Sequence, residues 1–321
     1  MEQLSVKHLL GIKDLSREDI QLILDTAKQF KEVINRPIKK VPSLRDVTIV
    51  NLFFESSTRT RISFELAEKR LSADVTNFSA SSSSLNKGET FRDTVQNIQV
   101  MKIDCIVMRH PTPGSCSQLQ NFVNSIIINA GDGAHEHPTQ ALLDSYSIRE
   151  KFGEVKGKKV VIVGDILHSR VARSNLWGLT KMGARVVICG PQTLIPNDFL
   201  NGHRTEEGHP FAGVEVQTDL DTALKDADVI MTLRLQLERQ RAGHLPSLRE
   251  YSQTYGINAR RLAIAKDGAL VMHPGPMNEG VEIETDIAHG AQSVIEEQVK
   301  SGVAVRMSLL YSMAAGQNLE I

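Results

Sequence analysis

The chain has 321 residues and a formal net charge of −1, and 41% of its residues are hydrophobic and 23% are charged. This length predicts two domains of about 150 residues each, and the balanced charge gives no basis for a nucleic-acid-binding or membrane-binding surface. No apolar run reaches the ~18 residues of a membrane span, and no signal-peptide pattern is present. The three scattered cysteines fit a reducing cytoplasm, and their spacing predicts neither a disulfide framework nor a zinc site.

A strand-to-helix turn carries the first motif, Ser57-Thr58-Arg59-Thr60-Arg61. It follows the apolar run 47–54, which is typical of a buried parallel strand, and it opens a predicted helix with Ile62, Leu66 and Ala67 on its buried face. The N–H groups and the positive dipole end at such a turn attract anions, and the arginines add planar, bidentate donors. We interpret the motif as a phosphate-binding site; the alternative is an ordinary Ser/Thr N-cap beside solvated arginines.

Two features follow before the middle of the chain. The serine-rich segment 79–90, which closes on Lys87-Gly88-Glu89-Thr90, is predicted to be an exposed mobile loop, and a plain surface linker is the alternative. The predicted strand 105–108 ends in Arg109-His110. An arginine just past the end of a buried strand lies where open α/β sheets bind ligands; the alternative is an ordinary surface arginine.

The motif His137-Pro138-Thr139-Gln140 is predicted to begin a helix that reaches about residue 152. Pro138 suits the first helical position, so His137 lies at the helix N-terminus, where the neutral imidazole is favoured and can donate one hydrogen bond to an oxygen. A purely structural capping role is the alternative. His135 and His137 alone do not predict a metal site, because no further ligands converge in the sequence.

The second half repeats the pattern of strands that end in polar residues. The predicted strand 159–163 leads through Gly164 to Arg170, without the Gly-x-Gly-x-x-Gly pattern of a dinucleotide site. Arg234-Leu235-Gln236 follows the strand 229–232, and a rigid turn, His273-Pro274-Gly275-Pro276, follows the strand 269–272. These strand ends point to an anionic ligand.

The predicted fold class is α/β: two doubly wound domains, each a parallel sheet flanked by helices, joined by interdomain helices. The remaining predicted strands are 75–78, 126–129, 185–189 and 214–217. The first domain is predicted to span residues 1–145, joined by a C-terminal helix at 300–321, and the second domain to span residues 146–299.

Together these motifs resemble the carbamoyltransferase family, in order and over nearly the whole chain. The resemblance rests on residues 57–61, Lys87-Gly88-Glu89-Thr90, Arg109-His110, His137-Pro138-Thr139-Gln140 and Arg234-Leu235-Gln236. Ornithine-specific members carry a His-Cys-Leu-Pro turn and a Ser-Met-Gly motif. This chain instead has His273-Pro274-Gly275-Pro276 and Arg234-Leu235-Gln236, which resemble the aspartate-specific members.

The resemblance implies that the enzyme transfers the carbamoyl group of carbamoyl phosphate to L-aspartate, without a cofactor or a metal, in pyrimidine biosynthesis. The first domain is expected to bind carbamoyl phosphate, and the second aspartate. The residues implied for carbamoyl phosphate are Ser57, Thr58, Arg59, Thr60, Ser84, Arg109, His137, Gln140, Gly275 and Pro276. Those implied for aspartate are Lys87, Arg170, Arg234 and Gln236, and those implied for catalysis are Arg59, Thr60, Lys87, Arg109 and His137.

The resemblance also implies a cytoplasmic homotrimer in which the loop bearing Ser84 and Lys87 reaches a neighbour's active site. Members with a long N-terminal arm assemble with a dihydroorotase-like partner, whereas this chain has only a few residues before its first predicted helix. A dihydroorotase-like or a regulatory subunit stays open as a partner. Ornithine carbamoyltransferase and a non-catalytic anion-binding paralogue stay open as alternative functions; the missing glycine pattern argues against an NAD-type dehydrogenase.

Overall fold

The structure, a computed structural model, describes residues 3–79, 90–200, 211–237 and 247–315. The chain forms two compact units: unit 1 comprises Met1–Tyr146 with Lys300–Ile321, and unit 2 comprises Ser147–Val299. Each unit is built on a parallel sheet flanked by helices, which confirms the predicted α/β class. Within the described ranges, no helix has both the length and the apolar character needed to cross a membrane.

The strands of the described residues are β1 Thr48–Phe53, β2 Asp74–Ser79, β3 Cys105–His110, β4 Ile126–Asp132, β5 Lys159–Val163, β6 Arg185–Cys189, β7 Glu215–Gln217, β8 Val229–Thr232 and β9 Leu270–Met272. The α-helices are α1 Arg17–Asn35, α2 Thr58–Arg70, α3 Phe91–Val100, α4 Ser115–Leu119, α5 Pro138–Phe152, α6 Arg170–Lys181, α7 Asn197–Leu200, α8 Leu220–Leu224, α9 Leu248–Tyr255, α10 Ala259–Leu262, α11 Thr285–Ala288 and α12 Ile295–Ala314. Every predicted strand is present, although β4 continues three residues beyond the predicted end at residue 129. β3 likewise continues two residues beyond the predicted end at residue 108, so Arg109 and His110 occupy its last two positions rather than following it.

The sheet of unit 1 has the strand order β2-β1-β3-β4, and all of its pairings are parallel. The central strands are near-continuous apolar runs because helices cover both faces of a parallel sheet. In β1, for example, Ile49 and Leu52 on opposite faces are both 0% exposed. The sheet therefore has no solvent-facing side in its centre, and polar side chains concentrate at the strand ends.

The predicted buried face of α2 is wrong in two of its three residues. Ile62 and Leu66 are 47% and 40% exposed, whereas Phe64, Ala67 and Leu71 are fully buried. The buried stripe of this helix includes several polar residues, so its apolar residues alone do not mark the side that faces the sheet. Ile62 and Leu66 instead form an exposed apolar pair one turn apart.

The sheet of unit 2 has the order β7-β6-β5-β8-β9, again with parallel pairings. Its central strand β5 is followed by Gly164, whose φ of +130° lies in the region that favours glycine. A Cβ atom there would lie 3.0 Å from Tyr251 Oη and 3.1 Å from the Leu233 carbonyl oxygen. This close approach lets the loop after β5 pass beside the loop after β8.

The C-terminal helix α12 packs into unit 1 from residue 300 onwards. Its residue Ser308 donates a side-chain hydrogen bond to the Ile23 carbonyl of α1 at 2.6 Å, and Tyr311 packs edge-on against Phe30 with ring centroids 5.6 Å apart. The predicted helix 300–321 is thus helical through Ala314, its last residues lie outside the described part of the chain, and the helix belongs to the first unit from residue 300 onwards.

A buried carboxyl group lies beneath α2. Glu68 is 0% exposed; its Oε2 accepts a hydrogen bond from Asn51 Nδ2 at 2.8 Å, and Asn51 also donates to Asn77 Oδ1 at 3.1 Å. Burial raises the pKa of Glu68 from its ordinary 4.5 to about 7, because the charged form loses its hydration. The hydrogen bond from Asn51 lowers this pKa, but by less than burial raises it.

We expect Glu68→Gln to remove a pH dependence of stability. The folded state holds the Glu68 proton more tightly than the unfolded chain, so the free energy of unfolding falls as pH rises from 4.5 to about 7. Between about pH 5 and pH 8 the wild-type protein should lose about 2 to 3 kcal/mol relative to Glu68→Gln. Urea unfolding at both pH values and one protein concentration measures this difference.

Glu65→Gln on the same helix is the matched control. Lys69 donates a hydrogen bond to Glu65 at 2.6 Å, and this bond is the main reason that the pKa of Glu65 lies below its ordinary value. Glu65 therefore titrates mostly below the tested range, and its substitution should change the pH dependence only slightly, because burial contributes more than the charge of Glu65 to the raised pKa of Glu68. The same loss of stability in the wild-type protein and in Glu68→Gln would show that Glu68 titrates as a solvated carboxyl group.

Candidate functional site

The candidate site of unit 1 lies where the strand order of its sheet reverses. The chain passes from β1 to β2 on one side and from β3 to β4 on the other. The ends of β1 and β3 are neighbours: Phe53 pairs with Arg109, and the Phe54 N–H donates to the Arg109 carbonyl at 2.8 Å. Parallel sheets bind ligands at such reversals. The motif at residues 57–61 and Arg109 therefore reach the same edge of the sheet.

The first turn of α2 presents the residues of the predicted phosphate-binding motif. Ser57 precedes the helix but its side chain makes no capping hydrogen bond, whereas Ser16 caps α1 by accepting from the Asp19 N–H. The first-turn N–H groups of any α-helix have no acceptor within the helix. Arg59 is exposed and Thr60 is buried, so the turn offers both a solvent-facing cation and an inner hydroxyl.

Arg109 is held from three directions at the end of β3. Its guanidinium donates to Thr60 Oγ1 at 3.3 Å, to the Ala130 carbonyl at 3.3 Å and to Glu55 Oε1 at 3.1 Å. The side chain is only 10% exposed, so the cation is largely removed from water and its orientation is fixed. Glu55 shares this guanidinium with any anion that binds there, and its negative charge opposes that binding.

His137 and Gln140 lie at the beginning of α5, and both are buried. The His137 carbonyl accepts the Gln140 N–H at 3.0 Å, and the Gln140 side-chain amide donates to Asp144 Oδ1 at 2.9 Å. With its amide nitrogen on Asp144, Gln140 can use its amide oxygen to accept a hydrogen bond from an NH₂ group of a ligand. His137 can donate to a ligand oxygen if one ring nitrogen carries the proton.

Asp132 organises the loop between β4 and α5. Its carboxylate accepts hydrogen bonds from the Gly114 N–H at 2.7 Å, Asn129 Nδ2 at 2.8 Å and His135 Nδ1 at 3.0 Å. Burial alone would raise the pKa of Asp132, but the hydrogen bonds from His135 and Asn129 and the nearby imidazole outweigh it, and the pKa lies below its ordinary value. The loop that leads to His137 is thus tied to the end of the sheet.

Unit 2 has an equivalent reversal, because β6 and β7 lie on one side of β5 and β8 and β9 on the other. Arg170, the first residue of α6, is 6% exposed and follows β5 through a short loop. After β8, Arg234 Nη2 donates to Gln236 Oε1 at 3.3 Å. These two arginines and the glutamine therefore lie on loops that leave adjacent strands at one edge of the sheet.

A buried aspartate connects the two loops. Asp165 accepts hydrogen bonds from the main-chain N–H of His168 at 3.1 Å and from the ring Nδ1 of His168 at 2.9 Å. It also accepts one from the main-chain N–H of Gln236 at 3.4 Å. The carboxylate thus bridges the loop after β5 and the loop after β8. It restricts both loops close to Arg170 and Arg234.

The turn after β9 is held by a histidine and a glutamate. The Gly275 N–H donates to His273 Nδ1 at 2.7 Å, so the neutral ring carries its proton on Nε2 and donates to Glu282 Oε1 at 3.3 Å. Glu282 also accepts the Asn278 N–H at 2.6 Å. The cis peptide bond Gly275–Pro276 lies inside this turn, which presents main-chain carbonyls at fixed positions.

Ser84 and Lys87 lie outside the described residues. Within the described ranges, no group of three or more His, Cys, Asp or Glu side chains could hold a metal ion. The structure brings Thr60 and Arg109 into direct contact, and it brings Arg234 and Gln236 into direct contact. The sequence analysis missed three acidic residues that hold the site: Glu55, Asp132 and Asp165. It also missed Arg306, which could have been noticed as a single charged residue within an apolar helical stretch.

Comparison with known proteins supplies independent evidence. Residues 7–150 match the family described as aspartate/ornithine carbamoyltransferase, carbamoyl-P binding domain, and residues 156–313 match aspartate/ornithine carbamoyltransferase, Asp/Orn binding domain. An aspartate carbamoyltransferase catalytic subunit from Cytophaga hutchinsonii is 60% identical over 317 residues, which cover 99% of this chain and 100% of that relative.

Solved structures agree with the sequence comparison. Aspartate transcarbamoylase from Trypanosoma cruzi, in complex with N-(phosphonacetyl)-L-aspartic acid, is similar with a TM-score of 0.86 and 33% identity over 96% of each chain. Ornithine carbamoyltransferase from Pyrococcus furiosus is similar with a TM-score of 0.86 and 30% identity, covering 99% of this chain and 100% of that chain.

Arg59→Ala should weaken the binding of inorganic phosphate by about 30-fold or more, because the anion loses a charge-assisted, bidentate donor worth about 2 kcal/mol. Arg61→Ala is the matched control, since Arg61 is also exposed and lies two residues farther along the same helix. Its removal changes the net charge equally and should weaken binding by about threefold or less. Calorimetric titration at a fixed salt concentration measures the dissociation constant of phosphate for both variants. If both substitutions weaken binding equally, Arg59 acts only through long-range attraction.

Proposed function

This chain belongs to the aspartate/ornithine carbamoyltransferase family, and we propose that it transfers the carbamoyl group of carbamoyl phosphate to the amine of L-aspartate. The products are N-carbamoyl-L-aspartate and phosphate, and the reaction serves pyrimidine biosynthesis. The observation that carries the proposal is the contact between buried Arg109 and Thr60 at the strand-order reversal of unit 1. A planar cation beside a hydroxyl and a helix N-terminus suits an acyl phosphate, in which the phosphate is bonded directly to a carbonyl group.

In this proposal unit 1 binds carbamoyl phosphate. The first turn of α2 and Arg109 hold the phosphate; the residues assigned to it are Ser57, Thr58, Arg59, Thr60 and Arg109. Thr60, Arg109 and His137 also donate to the carbonyl oxygen and stabilise the oxyanion that forms on attack. Gln140 accepts from the carbamoyl NH₂ group. Gly275 and Pro276, which belong to unit 2, keep their predicted assignment to the same NH₂ group. Ser84 keeps its predicted role in binding carbamoyl phosphate.

Unit 2 binds aspartate in this proposal. The substrate carries two carboxylates, and the planar guanidinium groups of Arg170 and Arg234 match carboxylate geometry. Arg234 is already oriented by its hydrogen bond to Gln236, which is the third assigned residue. Lys87 is assigned to aspartate as well.

The chemistry is a direct acyl transfer. The neutral amine of aspartate attacks the carbonyl carbon, a C–N bond forms and the C–O bond to phosphate breaks. The nitrogen loses one proton, which the departing phosphate takes up. The residues assigned at the site donate hydrogen bonds and positive charge to the oxygens on which negative charge develops. Rate enhancement therefore comes chiefly from positioning and electrostatic stabilisation, with no covalent enzyme intermediate.

We further propose that the enzyme works in the cytoplasm as a homotrimer with active sites shared between chains. The exposed apolar pair Ile62 and Leu66 on α2 supports a contact with another copy, because an interface would remove both side chains from water. A dihydroorotase-like or regulatory subunit stays open as an additional partner.

The acceptor can be tested with carbamoyl phosphate and each amino acid offered separately. Ornithine places a cationic side chain where aspartate has a carboxylate, so repulsion by Arg170 and Arg234 should make its turnover at least about 100-fold slower. Arg170→Ala should also abolish most aspartate turnover, whereas Arg173→Ala, an exposed arginine on the same helix, should not. Comparable rates with the two acceptors would contradict the aspartate assignment, and no turnover with either would contradict an enzymatic function.

Shared active sites predict complementation between two inactive variants. If Lys87 and Arg109 reach one site from different chains, a mixed cyclic trimer of Lys87→Ala and Arg109→Ala always contains one interface with both residues intact. Random equimolar mixing then makes about one quarter of all sites whole. Unfolding, mixing and refolding should restore roughly that fraction of wild-type activity. Trimers that refold but stay inactive would show that Lys87 serves its own chain.

A further inference from the structure

Arg306 is a fully buried cation that the reaction scheme above does not use. It lies on α12 within unit 1, and it is 4% exposed. The guanidinium lies 5.1 Å from the centre of the Phe64 ring. A charged side chain in this position costs solvation free energy, so its interactions must compensate for that cost.

The hydrogen bonds of Arg306 reach the two helices that carry the carbamoyl-phosphate residues. Nη1 donates to Ser63 Oγ of α2 at 2.8 Å, and Nη2 donates to Thr139 Oγ1 of α5 at 3.3 Å. Ser63 lies one turn after Thr60, and Thr139 lies two residues after His137. Arg306 thus connects the beginnings of α2 and α5 through one rigid, planar group.

The acceptors of these hydrogen bonds are uncharged, and the negative charge of Asp144 offsets part of the positive charge of Arg306. Besides the two hydroxyls, Nη1 donates to the Gly302 carbonyl at 3.1 Å. Burial lowers the pKa of Arg306 to about 10, with a further contribution from the charge of Arg109, while Asp144 acts in the opposite direction. The guanidinium remains protonated at neutral pH, and it adds positive potential beside Arg109.

A purely structural connection would not require a charge. Buried ionic groups can often be replaced by apolar side chains of similar volume without loss of stability. The placement of Arg306 between two first turns, within electrostatic range of Arg109, is instead what binding of a phosphate dianion requires.

We propose that Arg306 is a positioning residue of the carbamoyl-phosphate site: it sets the first turns of α2 and α5 against each other and adds buried positive charge for the phosphate. This inference rests on the proposed function of unit 1. It assigns to α12 an indirect part in ligand binding, because that helix contributes none of the residues assigned to contact the substrate.

The test measures the dissociation constant of inorganic phosphate, kcat and KM for carbamoyl phosphate, and the thermal midpoint. Arg306→Met removes both the charge and the planar donors and should weaken phosphate binding by about 10- to 100-fold. Arg306→Lys restores the charge alone and should recover part of this loss. Thr139→Val removes one acceptor, and it should raise KM for carbamoyl phosphate even if Arg306→Met does not fold.

Arg261→Met is the matched control. Arg261 is also buried, and it donates to the main-chain carbonyls of Gly256, Gln253 and Thr254, but it belongs to unit 2. Its loss should lower the thermal midpoint and leave phosphate binding within about twofold of wild type, because these hydrogen bonds hold neither α2 nor α5. A structural role of Arg306 would give the same pattern as this control.

Arg109→Ala distinguishes a failure of the positioning role of Arg306 from a failure of the proposed phosphate site. If Arg109→Ala loses phosphate binding while Arg306→Lys and Thr139→Val bind phosphate as tightly as the wild-type protein, the positioning role is overturned and the proposed function stands. If Arg109→Ala binds phosphate as tightly as wild type, the assignment of the phosphate site fails, and the role of Arg306 fails with it.

Discussion

The buried guanidinium of Arg109 is the interaction on which the rest of the candidate site depends. Its donors are divided between Thr60 on α2, the Ala130 carbonyl in β4 and the carboxylate of Glu55. These groups come within reach because β1, β3 and β4 are parallel neighbours whose carboxyl ends lie at one edge of the sheet. A single planar cation therefore fixes the turn after β1 relative to β4, and the sheet topology determines where a ligand anion is held.

Electrostatic repulsion is the cost of this arrangement. Arg109 and Arg306 are both buried in unit 1 and repel each other, which contributes to the lowered pKa of Arg306. Glu55 beside Arg109 and Asp144 near Arg306 offset part of the positive potential of the two guanidinium groups. A dianionic ligand would relieve the remaining repulsion, so the strength of phosphate binding and the cost of burying two cations have the same origin.

The sequence was sufficient for the strands and for the polar residues that end them, because both signals are local: short apolar runs, and Arg, His or Gln directly after them. It was insufficient for the orientation of α2, where Ile62 and Leu66 face outward since polar Thr60, Ser63 and Glu68 occupy the buried side. It was also insufficient for contacts between distant segments. The Arg306–Ser63 hydrogen bond joins residues 243 positions apart, and no local pattern encodes such a partner.

Unit 1 is discontinuous along the chain, and this has a consequence for its biosynthesis. Ribosomes deliver the chain from the N-terminus, and domains fold as their sequences become complete. Unit 2 is one continuous segment and can fold as soon as it has emerged, whereas unit 1 must wait for Lys300–Ile321. Until α12 arrives, Ile23 lacks its contact with Ser308, and the hydroxyls of Ser63 and Thr139 lack Arg306. A nascent chain that has not yet reached α12 therefore carries the complete β1–β4 sheet sequence but lacks the helix that completes the core of unit 1, so any anion binding at the candidate site has to await the synthesis of α12.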